Sequence, residues 1–380
     1  MRIERLAAGG EGVARDRDGR VVFVPLTAPG DRVRARIVRS RARFAHARLE
    51  QLLTAGADRV EPICPAFGHC GGCAWQHVAY PAQLRAKAQI VADALGRLAG
   101  VTCSAPVSIT PSPAPFGYRS RARVHCAEGR VGYRSRRSHE LCAVSSCPVL
   151  SAPLDRALGE LAAHPPERDG EWELAAGGGA ARAVALAADQ APCVTLQLGD
   201  DALRISPGVF FQANALLHEA LAGAVLRAAG AGRRALELFA GAGFLTLGLA
   251  RRFTRVTAVE SDAAAVADLA HNLRCAGIDN VEIFAQRVEA ALEADEVRAR
   301  ADVVVLDPPR SGLPRGVAAA LARAGHPRIV YLSCDAATLA RDVKALAAGG
   351  YALAQVEAFD LFPQTPHVET LAVLSHSVGR

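Results

Sequence analysis

From Leu203 onward the chain repeats one pattern: a short apolar run, then a segment long enough for a helix. The runs fall at 235–239, 255–260, 281–285, 302–306 and 328–332, and two further strands are predicted after Tyr351 and Val368. This alternation predicts a doubly wound, Rossmann-like α/β sheet, because parallel strands need a crossover between them and a helix supplies it. Ligands of such sheets sit at the carboxyl ends of the strands. The polar residues that close each run are therefore the first place to look for chemistry.

Gly241-Ala242-Gly243 follows the first run, and Glu260 closes the second, nineteen residues beyond Gly241. Glycines let the backbone come close to a ligand, and an acidic residue at the second strand end can accept hydrogen bonds from ribose hydroxyls. Sites for NAD, FAD and S-adenosylmethionine share these features. Phe244-Leu245-Thr246 stands where a dinucleotide fingerprint has its third glycine, which favours S-adenosylmethionine. Further on, Asp307-Pro308-Pro309-Arg310 ends the fourth run, Ser333-Cys334-Asp335 ends the fifth, and His367-Val368-Glu369-Thr370 opens the last. A thiol, a carboxylate and an acidic strand-end loop point to covalent catalysis on a planar ring.

The first 58 residues read differently. Short alternating runs, including Val21-Val22-Phe23-Val24, are separated by Gly9-Gly10, Asp18-Gly19 and Pro29-Gly30-Asp31, a pattern that suits a small β-barrel. The chain carries a net charge of +6, and residues 1–59 hold 13 Arg against 7 Asp or Glu, so the whole excess is N-terminal. Seven of those arginines lie from Arg32 to Arg48, several alternating with apolar residues as Arg32-Val33-Arg34-Ala35-Arg36. On a strand this sets guanidinium groups on one face and core residues on the other. A stripe nearly free of carboxylates is suited to tracking phosphates, so nucleic acid is the expected partner.

Residues 59–202 read as a mixed domain, with a helix over 81–98, a basic strand pair around 118–137, and a loose stretch over 164–180 rich in Pro, Gly and charge. Aromatic and basic residues interleave at Phe116-Gly117-Tyr118-Arg119 and Tyr133-Arg134-Ser135-Arg136-Arg137, a mixture suited to stacking bases and binding phosphates. The N-terminus lacks the apolar core of a signal peptide and no apolar stretch is long enough to span a bilayer, so a cytoplasmic protein with no membrane partner is expected. Ten cysteines in that compartment are metal ligands, nucleophiles or inert core residues rather than disulfides. Cys64, Cys70 and Cys73, spaced C-x5-C-x2-C, with a fourth thiol from Cys142 or Cys147, can hold either tetrahedral zinc or a [4Fe–4S] cluster.

Six motifs in order make the chain resemble the RNA uracil-5-methyltransferases. They are Cys64-x5-Cys70-Gly71-Gly72-Cys73, Phe211-Gln212-Ala213-Asn214, the Gly241 loop, Asp307-Pro308-Pro309-Arg310-Ser311-Gly312, Ser333-Cys334 and His367-Val368-Glu369-Thr370. The chain is most similar to the branch that carries a TRAM barrel ahead of an iron–sulfur domain and methylates uridine in 23S ribosomal RNA. The resemblance implies a TRAM-like RNA-binding barrel over 1–58, a central iron–sulfur domain over 59–202 and a class I methyltransferase domain over 203–380. It implies Cys334 as nucleophile and Glu369 as proton acceptor. It also implies S-adenosylmethionine contacts from Gln212, Phe239, Gly241, Gly243, Glu260 and Asp307, and a [4Fe–4S] cluster on Cys64, Cys70, Cys73 and Cys147. Phe244 and Ala336 depart from the family, which often has asparagine and proline there. A monomer acting on RNA and not on DNA is the expected form.

The chemistry of uracil agrees with that resemblance. C5 is too weak a nucleophile to take a methyl group unaided, but a thiolate adding at C6 converts the ring to an enolate that can. A base must then remove the C5 proton before the thiolate is expelled. A stacked base hides both carbons, so the target uridine is expected to be splayed out or flipped. Two alternatives stand beside this reading: a tRNA uracil-5-methyltransferase with the same chemistry, and a non-catalytic iron–sulfur RNA-binding protein. A cytosine-5 enzyme would show cysteine where Arg310 stands.

Overall fold

A computed structural model of the chain describes residues 1–380 except 104, 179, 187–191 and 377–380. The N-terminal strands β1 (Arg5–Leu6), β2 (Gly12–Arg15), β3 (Val21–Val24), β4 (Arg32–Ser40) and β5 (Phe44–Thr54) form one sheet in the order β1-β2-β3-β5-β4. It closes into a barrel where Arg2 bridges Arg32 and the Ile3 amide donates to Asp31 O at 2.8 Å. The enclosed core is small: Ile3, Val22, Val24, Val33, Ala45 and Ala47 are among its buried members. The expected alternation holds from Arg32 to Arg36. Beyond it the β4–β5 hairpin is exposed, with Ile37 and Val38 open to solvent and Arg36 paired with Glu50 at 2.6 Å.

In the central region the helix expected over 81–98 runs Tyr80–Ala94, continues as a π turn, Leu95–Ala99, and stops at Gly100 in the left-handed region (φ 71°). Strand β6 (Ser108–Thr110) follows, and β7 (Arg121–Ala127), β8 (Arg130–Arg134), β9 (Leu141–Ala143), β10 (Gly170–Gly177) and β11 (Ala180–Ala185) form a sheet in the order β11-β10-β7-β8-β9. The stretch expected to be loose, 164–180, thus contains a central strand; Gly179 lies outside the described residues. Its charge misleads because Glu173 is buried between Arg121 at 2.7 Å and Arg182 at 2.8 Å, so a polar residue occupies a core position. The two tyrosines expected to stack bases turn inward instead. Tyr118 is buried and donates to Pro363 O at 3.0 Å, and Tyr133 packs on the Leu154–Leu158 core cluster beside Cys147.

The hairpin β12 (Val194–Leu198) and β13 (Asp201–Ile205) straddles the expected boundary at residues 202 and 203. It is fastened to the C-terminal domain through Arg204, which lies 2.8 Å from Asp268 and takes up Asn272 through its backbone.

The remaining strands are β14 (Gly232–Leu238), β15 (Phe253–Glu260), β16 (Val281–Ala285), β17 (Val303–Leu306), β18 (Arg328–Ser333), β19 (Tyr351–Phe359) and β20 (Glu369–His376). Their order is β16-β15-β14-β17-β18-β20-β19-β6. The first five are parallel, and β20 runs antiparallel to both its neighbours. Strand β17 is Val-Val-Val-Leu and fully buried, as a strand covered on both faces must be. The strand order reverses between β14 and β17, which opens the ligand crevice there. Strand β6 joins the far edge parallel to β19 and so makes the central region part of this sheet. Among the described residues no helix is long and apolar enough to cross a membrane.

Candidate active site

The ends of β14, β15, β17 and β18 open onto a cavity of about 710 Å³. Its wall contains Gln212, Phe239, Gly241, Glu260, Asp307, Cys334 and Glu369. Register explains the meeting of the last three. Leu238 pairs with Leu306 and Leu306 with Tyr331, so Phe239, Asp307 and Cys334 leave adjacent strands at neighbouring levels. Antiparallel β20 pairs Thr370 with Ser333, which sets Glu369 opposite Cys334 although 35 positions separate them.

Charge is crowded there. Burial pushes the Cys334 thiol up to about 12, and the nearby Glu369, Asp307 and Asp335 carboxylates push the same way while Arg310 opposes them. Enclosure raises Asp307, with Gln212 pulling it back, and burial followed by the charge of Asp307 raises Glu369 well above the usual carboxylate range. Two carboxyls held together in low dielectric share the negative charge rather than each carrying one. Among the described residues Glu369 Oε1 and Gln212 Oε1 are buried without hydrogen-bond partners, so the cavity wall presents unmet polar groups.

The glycine loop divides the expected cofactor residues. Gly241 has φ 56° and no atom within 4 Å of the place a Cβ would take, so its backbone lies open to a ligand. Gly243 does not line the cavity. Its φ is 99°, and a Cβ there would lie 2.8 Å from Leu269 and 3.1 Å from Leu247, so this glycine lets the loop pack on the helices behind it. Phe239 also takes a left-handed backbone (φ 66°), which is costly for a bulky residue and marks the strand-to-loop turn as constrained. Glu260 Oε2 accepts from Gly241 N at 2.9 Å, and Oε1 accepts from Ser261 N and Asp262 N at 2.6 and 2.8 Å. A carboxylate has about four acceptor sites. Glu260 therefore holds the loop in place and keeps capacity for one further donor. Phe244 lines the cavity and its ring meets His218 edge-on at 5.7 Å.

Side chains without a sequence motif hold the Glu369 loop. Lys87, on the central helix, is wholly buried, pairs with the equally buried Asp360 and donates to Phe362 O at 2.9 Å. Gln83, one turn earlier, donates to Gln364 Oε1 at 2.9 Å and accepts from Gln364 N at 2.9 Å. Gln212 sits on a segment stitched to the central region, where Ser120 donates twice to Ala213 O.

The N-terminal cysteine loop is sewn onto the central sheet by Gly71, whose amide donates to Arg134 O at 2.9 Å. Cys147 lies on a turn that Asp155 holds, accepting from Cys147 N at 2.6 Å. Burial pushes Cys70 up to about 11 and Cys73 up to about 12, and neighbouring thiols add to both. Of the two candidates for a fourth position, Cys147 neighbours Cys64, Cys70 and Cys73, whereas Cys142 neighbours Cys70. Among the described residues no group of three or more His, Cys, Asp or Glu is arranged to hold a metal ion.

Comparison with known proteins fits this geometry. Residues 194–377 match the tRNA (Uracil-5-)-methyltransferase family and residues 2–49 match the TRAM domain. The chain is 35% identical to the 23S rRNA (uracil(1939)-C(5))-methyltransferase of Chromohalobacter salexigens, across 100% of this chain and 90% of that one. It is 34% identical to an uncharacterized RNA methyltransferase of Gloeobacter violaceus, across 99% and 96% of the two. In fold it is similar to the tRNA (uracil-54, C5)-methyltransferase of Pyrococcus abyssi, solved in complex with S-adenosyl-L-homocysteine. The TM-score is 0.76 at 24% identity, with 98% of this chain and 99% of that one covered.

Proposed function

The chain belongs to the RNA uracil-5-methyltransferase family, which works with S-adenosylmethionine, and on that premise we propose that Cys334 and Glu369 methylate C5 of a uridine in 23S ribosomal RNA. The observation that supports these roles is the register of β18 and β20, which sets thiol and carboxylate beside each other in the wall of one cavity. The ribosomal substrate rests on the relative from Chromohalobacter salexigens, which spans this chain from end to end.

Gln212, Phe239, Gly241, Glu260 and Asp307 would hold S-adenosylmethionine, and the open backbone at Gly241 and the unpartnered Gln212 oxygen suit it. Bound there, S-adenosylmethionine would supply the methyl group, its sulfonium S–CH3 bond giving way so that S-adenosylhomocysteine is left. Cys334 adds as thiolate to uracil C6, breaking the C5–C6 π bond, and the enolate so formed uses C5 to take the methyl group. Glu369 then removes the C5 proton, and the electron pair left behind restores C5=C6 as the Cys334–C6 bond breaks. Arg310, the positive neighbour that eases ionisation of Cys334, offsets part of the negative field around the thiol. Cys64, Cys70, Cys73 and Cys147 would hold a [4Fe–4S] cluster, which would fasten the cysteine loop to the central sheet. The cysteine loop and the Cys147 turn bring together thiols that neighbour one another, the donor type such a cluster takes.

Cys334→Ala is expected to form no detectable 5-methyluridine in a 23S rRNA transcript while binding S-adenosylmethionine within about twofold of wild type, since the thiol acts on the base. Glu369→Gln is expected to stop after methylation and leave a denaturation-stable protein–RNA adduct on a gel. Methylation by Cys334→Ala would overturn the covalent route, and methylation confined to a tRNA transcript would reassign the substrate.

A further inference from the structure

A second cavity, of about 500 Å³, lies on the other side of Cys334, between the barrel and the catalytic domain. Cys334 and Arg310 line both cavities. The barrel contributes Phe23 and His46 to the second one. On β3, Val22 and Val24 fill the barrel core, and on β5 Ala45 and Ala47 do the same, so Phe23, Phe44 and His46 must face outward. Phe23 and His46 are register partners on parallel strands, and their rings stack at 5.3 Å with an interplanar angle of 29°. Phe44 meets both edge-on, at 6.0 and 5.6 Å, and is 37% exposed. An aromatic surface outside a core too small to need it is suited to stacking a ligand ring.

The charges of the cleft decide which part of a nucleotide it takes. Arg5 and Arg97 both pair with Asp93, at 3.5 and 3.2 Å, and Arg310 lies 3.6 Å from Asp335. With Glu11 also in its wall, the cleft sets three arginines against three carboxylates, so it attracts phosphate weakly, and a neutral, ring-lined cleft suits a base. The cleft also opens on the thiol that attacks the target. A strand presenting one base to Cys334 therefore has its neighbour at the mouth of this cleft.

We propose that the cleft between the barrel and the catalytic domain is a second base-binding subsite, in which an unstacked nucleotide flanking the target uridine lays its base on the Phe23–His46 platform. The assignment rests on Cys334 attacking that uridine. It makes the barrel a reader of bases next to the target as well as a grip on the backbone.

The test uses the full-length protein and single-stranded RNA 9-mers with one central uridine, carrying 2-aminopurine at each of the three positions on either side in turn. Stacking quenches 2-aminopurine, so one flanking position should darken on binding to wild type. Phe23→Ala and His46→Ala should abolish that quench and weaken binding roughly 5- to 150-fold, the range for one stacked base. Phe23→Leu, which keeps apolar volume without a stacking face, should behave as Phe23→Ala and guards against a folding defect. An abasic residue at the darkened position should cost wild type the same factor and cost Phe23→Ala nothing more. A quench independent of both rings, or additive losses, overturns the subsite. Methyl transfer by wild type is measured separately: if it occurs while no ring-dependent quench is seen, the subsite alone fails. If no RNA yields 5-methyluridine, the methylation reading fails and the fluorescence still reports on the platform.

Discussion

Glu237 carries an unusual electrostatic load for a single residue in the middle of a strand. It is buried in β14, its Oε2 has no partner among the described residues, and burial, followed by the charges of Asp307 and Glu260, pushes its carboxyl up to about 8. The folded state thus holds a proton that the unfolded chain, with an ordinary value of 4.5, has released. Stability from this group is full below that unfolded value and is lost as pH rises through about 8. The loss amounts to about 3 to 5 kcal/mol at most. Glu237→Gln keeps the shape and removes the titration. Urea midpoints of wild type should fall between pH 6 and 9, while those of the variant stay flatter and overtake wild type at the alkaline end. Parallel curves would show that Glu237 does not titrate in that window. Burial, followed by the charges of Glu369 and Asp307, likewise pushes the Cys334 thiol up to about 12 and so favours its protonated form.

Among the elements, the central helix Tyr80–Ala94 matters most to the site although it bears none of its reacting groups. The buried Lys87–Asp360 pair and the Gln83–Gln364 exchange lock it to the turn from which Val368 and Glu369 enter β20. Breaking a buried pair by removing one partner costs about 3 to 5 kcal/mol, because the other charge is left desolvated and alone. Lys87→Met should lower thermal stability by that amount and slow methylation as the Glu369 loop loosens, and adding Asp360→Leu should recover most of the stability. Wild-type stability in the single variant would show that the pair contributes nothing. The helix itself was legible from its period, but its role was not. Nothing near Lys87 in sequence announces a carboxylate 273 positions away.

In the whole molecule, the β12–β13 hairpin and the eight-stranded sheet line the catalytic cavity, and the cysteine loop is fastened to the central sheet. If Cys64, Cys70, Cys73 and Cys147 hold [4Fe–4S], protein purified without oxygen should be brown and contain about four irons per chain. Cys147→Ser should lose the iron and Cys142→Ser should retain it. One zinc and no iron would overturn the cluster, and the reverse mutant pattern would move the fourth ligand to Cys142.

The sequence by itself determined the run of seven strands from β14 to β20 and the residues closing them, because apolar period and turn chemistry are local properties that each segment carries with it. It also marked Gln212, Phe239, Gly241, Glu260, Asp307, Cys334 and Glu369, and all of these line one cavity. Local signals failed where a side chain's meaning depends on a distant partner. Gly243 is spaced as a ligand glycine but serves packing against Leu269, Tyr118 and Tyr133 look exposed but face inward, and Glu173 hides a strand by pairing with two arginines. Only tertiary structure decided that β20 runs antiparallel beside β18, bringing Glu369 to Cys334, and that the barrel turns Phe23 and His46 toward the same thiol. Those contacts are set by strand order and by the docking of one domain on another, which come from the burial of apolar surface over the whole chain rather than from any segment of it.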